Sequence, residues 1–264
     1  MRQGYLIPVY NHGKTVGPLI GKLLEQRDLP VILVDDGSDG ETKARLALIA
    51  KTFPGVALVS LEKNSGKGRA MFAGIERAYE RGLTHLLQID ADGQHEAERA
   101  PFFLDESASH PEAAVIGFPL FDESAPAYRV KGRELANVWA RICTLSADIP
   151  DALCGFRVYP VEALRRMGRR CRVDSRMGVD AEILVRLLWQ DIPLIFHPVR
   201  VIYPPDGISH FRPVRDNIRI SWVFTRLFCG MLFRLPLLCL RRYAKPHPRP
   251  EHIFCNWIKS EEKP

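Results

Sequence analysis

The chain has 264 residues, of which 46% are hydrophobic and 26% are charged, and its formal net charge is +6. This is the composition of an ordinary soluble globular protein, and the length suits one large α/β domain or one domain with an appendage. The six cysteines form no Cys-x-x-Cys pair and no regular spacing, which argues against a structural zinc site or a disulfide framework and indicates a reducing cytoplasm.

The sequence lacks the signals of a secreted, membrane-spanning or nucleic-acid-binding protein. Residues 1–5 lead directly into a strand-like run, so we expect no signal peptide. No apolar run is expected to reach the roughly 18 residues that span a bilayer. The sequence contains no recognition helix and no RNA-binding motif, and nucleic acid is therefore not an expected partner.

Apolar, strand-like runs alternate with helical stretches through the first half of the chain. The predicted elements are strand 5–9, helix 16–26, strand 30–34, helix 41–51, strand 56–61, helix 69–81, strand 86–90, helix 96–107 and strand 113–118. This alternation predicts a doubly wound, mainly parallel α/β sheet, in which ligands bind at the carboxyl ends of the strands. Three polar clusters fall at those ends: Asn11, Asp35 with Asp36, and Asp90 with Asp92.

The apolar run 86–89 ends in two carboxylates one residue apart, Asp90 and Asp92. Residues at i and i+2 leave an extended strand on the same side, so these side chains repel unless a cation lies between them. Hard oxygen ligands suit Mg²⁺ or Mn²⁺, which in turn bind a substrate diphosphate. The alternative is a solvated Asp-Ala-Asp-Gly turn.

Residues 35–38 (Asp-Asp-Gly-Ser) also have two interpretations. They fit a turn with a helix N-cap, because Asp and Ser are favoured there. They also fit a nucleotide contact, since neighbouring strand-end residues point in opposite directions and one carboxylate would reach a base or ribose. The sequence does not decide between Asp35 and Asp36. In residues 64–68 (Asn-Ser-Gly-Lys-Gly), Lys67 is either a cation near phosphates or a surface lysine.

Four stretches together resemble the ordered motifs of the family 2 glycosyltransferases, and among these the dolichyl- and polyprenyl-phosphate sugar synthases. They are residues 7–11 (Ile-Pro-Val-Tyr-Asn), 34–38 (Val-Asp-Asp-Gly-Ser), 64–68 and 90–95 (Asp-Ala-Asp-Gly-Gln-His). The resemblance implies a GT-A, Rossmann-like nucleotide-sugar-binding fold with a divalent cation, Mg²⁺ or Mn²⁺, near Asp90, Asp92 and Gln94. The donor-binding residues that it implies are Pro8, Tyr10, Asn11, Asp35 or Asp36, Lys67 and Asp90.

The second half of the chain supplies the expected acceptor side. A helix is predicted over 128–147, where Arg129 and Arg133 share a face because they are four residues apart. In the resembled branch basic residues here approach phosphate groups, although the same spacing occurs on a solvated helix. Residues 151–157 are similar to the family's Asp-x-x-x-Gly-Phe-Arg stretch; we assign Arg157 to the sugar-binding site and expect Cys154 and Phe156 in the core.

The expected general base is an acidic residue at the start of a helix that runs through Trp189. The resemblance makes Asp180 the candidate and Glu182 its rival, because an acceptor hydroxyl needs a carboxylate within hydrogen-bond reach. The alternative is a pair of helix N-terminal acids favoured by the macrodipole.

The stretch that follows the predicted strand 194–203 is similar to the closing Arg-x-x-Gly-x-Ser-Lys motif of the polyprenyl-phosphate branch. Pro204 stands in place of the Arg and His210 in place of the Lys. A phosphate acceptor would need that Arg, whereas a hydroxyl acceptor needs a base, so this departure favours a lipid-linked or other hydroxyl acceptor. His210 is placed near the donor diphosphate or the metal, with a solvated loop histidine as the alternative.

A long helical pattern over 214–240 combines an apolar, aromatic-rich surface with arginines every seven or eight residues, and Pro236 is expected to kink or end it. We predict an amphipathic helix at a membrane interface. The alternative is a helix packed on the domain with its arginines outward. The tail that follows is expected to be loosely ordered.

The sequence as a whole predicts a metal-dependent, inverting glycosyltransferase, peripheral at the cytoplasmic, inner face of a membrane. Its predicted parts are a GT-A domain over 1–211, a membrane-interfacial helix over 212–242 and a tail over 243–264. The expected partners are a nucleotide-sugar donor, a lipid or lipid-linked acceptor and the membrane surface. The alternatives are a polyprenyl-phosphate glycosyltransferase, and a non-catalytic nucleotide-sugar-binding protein that recruits partners to a membrane.

Overall fold

The computed structural model describes residues 1–121, 127–202 and 213–244, in which seven strands form one sheet. The strands are β1 (Gln3–Val9), β2 (Val31–Asp35), β3 (Val56–Ser60), β4 (His85–Gln88), β5 (Ala114–Phe121), β6 (Arg157–Pro160) and β7 (Leu194–Val201). The helices are α1 (Val16–Gln26), α2 (Gly40–Thr52), α3 (Lys67–Glu80), α4 (Ala100–Ser109), α5 (Ala127–Thr144), α6 (Val161–Arg170), α7 (Val179–Trp189) and α8 (Pro213–Ala244).

The strand order is β3-β2-β1-β4-β6-β5-β7, and every pairing is parallel except the two that β6 makes. The prediction of a mainly parallel α/β sheet is therefore confirmed. Alternate residues of β1 enter separate core clusters, Leu6 on one face and Tyr5 and Ile7 on the other. Both faces are covered, which is why the strands are nearly continuous hydrophobic runs.

The sequence prediction missed β6 and α6. β6 lies antiparallel between β4 and β5, with Leu87 opposite Val158. A strand of four residues that begins with an arginine lacks both the apolar run and the strict alternation used to recognise strands. Cys154 and Phe156, expected in the core, are fully buried just before this strand.

The C-terminal helix α8 is longer than predicted and packs on the domain. It continues through Pro236 to Ala244, so the expectation that Pro236 could end it was wrong. Val223, Phe224 and Leu227 are buried in the same core cluster as one face of the sheet. Arg215–Leu240 is 26 residues long and, by length and composition alone, is apolar enough to cross a membrane. The expectation that no apolar run reaches that length was therefore also wrong.

Three arginines of α8 contact the domain, whereas the alternative for this helix had its arginines outward. Arg219 donates to Asp174 at 2.9 Å, Arg226 donates to Glu182 at 2.9 Å, and the guanidinium of Arg234 lies 4.6 Å from the ring centre of Trp189. The outer surface of α8 carries many large hydrophobic side chains in addition to exposed polar residues such as Arg215. These hydrophobic side chains are Ile218, Trp222, Leu232, Phe233, Leu235, Leu237 and Leu240.

Candidate active site

The ends of three adjacent parallel strands bring the predicted polar clusters to one edge of the sheet. Val9, the last residue of β1, is opposite Asp35, the last residue of β2. β4 flanks β1 on the other side, with Gln88 opposite Leu6, and Asp90 lies two residues beyond its end. Residues from chain positions 9 to 90 thus meet at the carboxyl edge, where α/β sheets bind ligands.

Asn11 ties the end of β1 to the segment after β2. Its φ of 56° lies in the left-handed region, which asparagine tolerates better than most residues. Its backbone N–H donates to the Ser38 hydroxyl at 3.0 Å, and its side-chain oxygen accepts from the backbone N–H of Asp39 at 2.9 Å. Tyr10 immediately precedes Asn11, and Pro8 lies inside β1 opposite Val34. These bonds fix the backbone around the expected donor site.

Asp35 and Asp36 have different surroundings. Both oxygens of Asp36 accept backbone N–H groups, from Ser65 at 2.7 Å and from Gly66 at 2.8 Å. Burial raises the pKa of Asp36, and these two hydrogen bonds partly offset the rise. Asp36 therefore holds the 64–68 loop against β2.

Asp35 keeps one oxygen without a protein partner. Its Oδ1 accepts the backbone N–H of Ser38 at 2.9 Å, whereas its Oδ2 is buried and has no hydrogen-bond partner among the described residues. A buried carboxylate oxygen without a partner is costly, and such atoms are normally satisfied by protein, water or a ligand. The sequence did not decide between Asp35 and Asp36, and of the two it is Asp35 that has an oxygen open to a further hydrogen bond.

Lys67, the first residue of α3, bridges two carboxylates. Its Nζ lies 2.7 Å from Oδ1 of Asp90 and 2.8 Å from Oδ2 of Asp180. Burial alone would lower the pKa of Lys67, but the charges of Asp180 and Asp90 outweigh it, and the pKa is raised. Burial likewise acts to raise the pKa of Asp90, yet Lys67 brings it below its usual range. Lys67 and Asp90 are therefore both charged at neutral pH.

Asp180 is held from two further sides. Its side chain is only 4% exposed, and its Oδ1 accepts from the amide of Gln88 at 3.1 Å. Beneath it, the fully buried guanidinium of Arg157 donates to the Asp180 carbonyl at 2.8 Å and to the Ala152 carbonyl at 2.9 Å. Arg157, predicted in the sugar-binding site, thus lies below the carboxylates rather than at the surface of the site.

Gly155 allows the 151–157 segment to lie close to the Asp90 carboxylate. A Cβ atom at Gly155 would collide with the Asp90 carboxylate, so only glycine fits there without displacing it. Glu182, the rival base, is fully buried. Its oxygens accept from Arg186, from Arg226 and from the backbone N–H of Asp174. The structure thus brings Asp180, but not Glu182, to Lys67 and Asp90.

Asp92 and Gln94 carry oxygen atoms of the kind expected to bind a divalent cation. Asp92 is half-buried, and its Oδ1 accepts the backbone N–H of Gln94 at 3.0 Å, which orients the carboxylate. The described residues contain no group of three or more His, Cys, Asp or Glu side chains placed to bind a metal. Mg²⁺ is typically held by one or two carboxylates together with substrate phosphates. Asp92 with the Gln94 amide oxygen fits that pattern, whereas Asp90 is bonded to Lys67.

The expected acceptor residues are only partly described. Arg133 forms a bidentate pair with Asp151, at 2.6 Å and 3.3 Å, and lies beside a small pocket of about 130 Å³ at the end of β5. Phe118, Phe121 and Val130 also line this pocket. The side chain of Arg129 and all of His210 lie outside the described residues.

Comparison with known proteins identifies the family. The family model described as "Glycosyl transferase family 2" matches residues 5–168, well over half of the chain. The chain belongs to glycosyltransferase family 2. The predicted family and enzyme class are therefore confirmed.

Several relatives carry undecaprenyl- or dolichyl-phosphate in their names, among them the following two. An undecaprenyl-phosphate mannosyltransferase of Micrococcus luteus is 30% identical over 200 residues, which cover 70% of this glycosyltransferase and 77% of the relative. A dolichyl-phosphate beta-glucosyltransferase of Trichomonas vaginalis is 29% identical over 199 residues, covering 69% of this chain and 58% of the relative. The predicted resemblance to the polyprenyl-phosphate branch is thus confirmed.

The GT-A fold of this glycosyltransferase is confirmed by a solved structure. The glucosyl-3-phosphoglycerate synthase of Mycobacterium tuberculosis, crystallised with Mn²⁺, UDP-glucose and phosphoglyceric acid, matches it with a TM-score of 0.64. The match covers 87% of this chain and 80% of that one, and the two sequences are 16% identical. At that identity the likeness concerns the fold.

Sequence reasoning missed two residues around the site of this glycosyltransferase, Gln88 and Asp174. Gln88 is fully buried and binds Asp180, and a single amide inside the apolar run 86–89 was the available signal, because a buried polar group needs a partner. Asp174 is buried before α7 and accepts the backbone N–H groups of Arg176 and Gly178. It stands in a loop with no recognisable motif, so nothing in the sequence distinguished it.

Proposed function

We propose that this glycosyltransferase moves a sugar from a nucleotide-sugar donor to a polyprenyl phosphate at the cytoplasmic face of a membrane, with inversion at the anomeric carbon. The observation that carries the choice of acceptor is the state of Asp180, whose carboxylate is bonded to Lys67 and Gln88 and nearly closed to solvent. A hydroxyl acceptor needs an accessible base. A phosphate monoester is largely ionised at neutral pH and needs none.

The names of the relatives support the same acceptor, since both contain a polyprenyl or dolichyl phosphate. This departs from the sequence expectation, which favoured a hydroxyl acceptor because Pro204 replaces a family arginine. Residues 203–212 lie outside the described part of the chain, and a positive charge for the acceptor phosphate would have to come from a residue other than that at position 204. Arg133, beside the aromatic pocket at the end of β5, is our candidate for contacting the acceptor phosphate.

On the donor side, the unpartnered Oδ2 of Asp35 would accept a hydrogen bond from the ribose or base. Asp92 and Gln94 would hold Mg²⁺ or Mn²⁺, which supplies positive charge to the leaving nucleoside diphosphate. Lys67 and Asp90 keep the backbone of the site in place beneath the sugar through their ion pair. The Mn²⁺ and UDP-glucose in the Mycobacterium tuberculosis neighbour support a donor of this class.

The exposed apolar face of α8 supports action at a membrane. Trp222 is 63% exposed and Phe233 is 89% exposed, on the side of the helix opposite the core contacts. An aromatic-rich helix with one apolar outer face binds the boundary between headgroups and acyl chains. Because its inner face packs on the domain, we propose that α8 lies along the surface rather than crossing the bilayer.

The test is a transfer assay with radiolabelled UDP-glucose, UDP-N-acetylglucosamine and GDP-mannose, each offered undecaprenyl phosphate or the matching alcohol, undecaprenol. We expect a labelled lipid with the phosphate only, and loss of product with excess EDTA that added Mn²⁺ restores. Product formed only from the alcohol would overturn the acceptor. Full activity in EDTA would overturn the metal. Donor binding without any product would favour the non-catalytic alternative.

One observation keeps the hydroxyl acceptor as a second candidate. Asp180 and Asp90 share Lys67 as their ion-pair partner. If Lys67 moved to the donor phosphates, the Asp180 carboxylate would be released and would be able to accept a proton from a hydroxyl acceptor. The variant Asp180→Asn separates the two functions. If the acceptor is a phosphate, the kcat of Asp180→Asn should remain a substantial fraction of the wild-type kcat. If the acceptor is a hydroxyl, kcat should fall about 10²-fold or more.

A further inference from the structure

The loop between α6 and α7 touches two parts of the molecule that have so far been described separately. On one side it contacts residues 64–69, the loop and first turn of α3 that hold Lys67. On the other side it is bonded by arginines of α8. Through these two sets of contacts, the loop connects α8 to the segment that holds Lys67.

The contacts with the Lys67 loop are backbone contacts at close range. The carbonyl of Ser175 accepts the N–H of Arg69 at 3.2 Å. A Cβ atom at Gly66 would collide with the carbonyl oxygen of Ser175, and one at Gly68 would collide with that of Asp174. Arg176 also donates to the Asn64 side chain. The two glycines of the 64–68 motif are thus required by the 174–176 segment pressed against them.

The contacts with α8 are ion pairs to buried carboxylates. Arg219 donates to Oδ1 of Asp174 at 2.9 Å and to the Ser175 hydroxyl at 3.1 Å, and the Asp174 side chain is 6% exposed. The other Asp174 oxygen accepts the N–H groups of Arg176 and Gly178, at 3.0 Å and 3.1 Å. Asp174 therefore stabilises the loop through backbone hydrogen bonds within it and also attaches the loop to α8.

A second arginine completes the attachment. Arg226, two turns further along α8, donates to the fully buried Glu182 at 2.9 Å, and the same Glu182 oxygen accepts the N–H of Asp174 at 2.7 Å. Two arginines of one helix thus converge on one segment. Both arginines bind buried carboxylates, unlike the exposed ion pairs of a helix that merely lies on a domain surface, which contribute little to stability.

We infer that Arg219 and Asp174 are positioning residues for the donor, through which α8 holds the Asn64–Gly68 loop and Lys67 in place. The inference rests on the proposed donor role of that loop. Neither residue touches the reacting groups. They act by fixing the 174–176 segment, which in turn supports the backbone N–H groups that Asp36 binds and the lysine that Asp90 and Asp180 bind.

The first test uses hydrogen–deuterium exchange on the full chain without ligand. In Arg219→Gln, we expect the amides of Ser65, Gly66 and Arg69 to exchange about fivefold faster, because a local opening becomes easier. Arg219→Lys should restore most of the protection. Arg234→Gln is the matched control, since Arg234 bonds to its own helix at Gly230 and not to the loop. Unchanged exchange at these amides, or equal acceleration throughout the chain, overturns the inference.

The second test is kinetic. With the donor that the wild-type chain uses best in the acceptor assay, Arg219→Gln should raise the donor KM about tenfold while the acceptor KM is unchanged. An equal rise in both, or an equal effect of Arg234→Gln, contradicts a positioning role. Because the exchange test needs no turnover, absence of transfer in the wild type would count against the proposed function and leave the first test decisive for this inference.

Discussion

Lys67 is the side chain on which the charge balance of the candidate site depends. It is 12% exposed and pairs with Asp180, which is 4% exposed, and with the less buried Asp90. Removing one partner of a buried ion pair leaves the remaining charges desolvated without compensation, which costs more than the pair itself contributes. The two carboxylates would then repel each other as well.

We therefore expect Lys67→Met to lower the free energy of unfolding at pH 7 by about 3 kcal/mol, measured by urea denaturation. Adding Asp180→Asn should recover part of the loss, because one of the two unpaired charges is removed. Lys22→Met is the control, since Lys22 and its partner Glu98 are 60% and 56% exposed and their pair contributes little. Equal stability of Lys67→Met and wild type would contradict the ion-pair description.

At this scale the sequence predicted residues that the structure places at one edge of the sheet, but not what each one contacts. The parallel strands align their carboxyl ends and so bring Asn11, Asp35, Asp36 and Asp90 to one edge. The ion pairs of Lys67 add Asp180 to this group. Their division of labour depends on contacts between residues far apart in the chain, such as Asp36 with Ser65 and Lys67 with Asp180. No local pattern encodes such pairings. Only the structure distinguishes Asp35, with an unpartnered oxygen, from Asp36.

At the scale of elements, α8 has two faces with different expected roles. Leu227 is 1% exposed and belongs to the core cluster, whereas Phe233 is 89% exposed. A helix that only rests on a membrane would not carry core residues, and a core helix would not expose large aromatic side chains.

Two alanine variants should separate these roles. Leu227→Ala should reduce the free energy of unfolding by about 3 kcal/mol, because it leaves a cavity in the core. Phe233→Ala should leave stability within about 0.5 kcal/mol but weaken binding to phospholipid vesicles about tenfold. Denaturation and vesicle sedimentation measure the two effects. Vesicle binding that is unaffected by Phe233→Ala would argue against the proposed membrane face.

The elements that the sequence predicted well are those with a long, regular pattern. α1 was predicted with its observed bounds, Val16–Gln26, and the bounds of the strands in the first half differ from prediction by up to three residues. β6 and α8 show the limit. β6 is recognisable only from its place between β4 and β5, and the arginines of α8 have acidic partners in a different loop.

At the scale of the whole molecule, buried histidines tie stability to pH. Burial lowers the pKa of His85, His95 and His197 below the usual value of histidine. The Nε2 of His85 donates to the Pro111 carbonyl at 2.8 Å and so carries the proton of the neutral ring, while its Nδ1 lies 3.0 Å from the Thr84 hydroxyl oxygen. Protonation of the other nitrogen would charge a group that is closed to water.

A group whose pKa is lower in the folded than in the unfolded state contributes its full stability above the unfolded pKa and loses it as the pH falls. We expect the free energy of unfolding to decrease from pH 7 towards pH 5, starting near the unfolded histidine value of about 6.5. His85→Gln, which can still donate to Pro111, should flatten this decrease in urea denaturation series. A His85→Gln profile as steep as that of the wild type would assign the effect to other groups.

The bridge that Lys67 makes has a further consequence for how substrate enters. Lys67 is paired with both Asp90 and Asp180, so its charge offers a pyrophosphate no surplus attraction. The donor should therefore arrive with, or after, its own counter-ion. Thermodynamic linkage then requires Mn²⁺ and donor to raise each other's affinity by the same factor, which calorimetric titration in both orders would reveal.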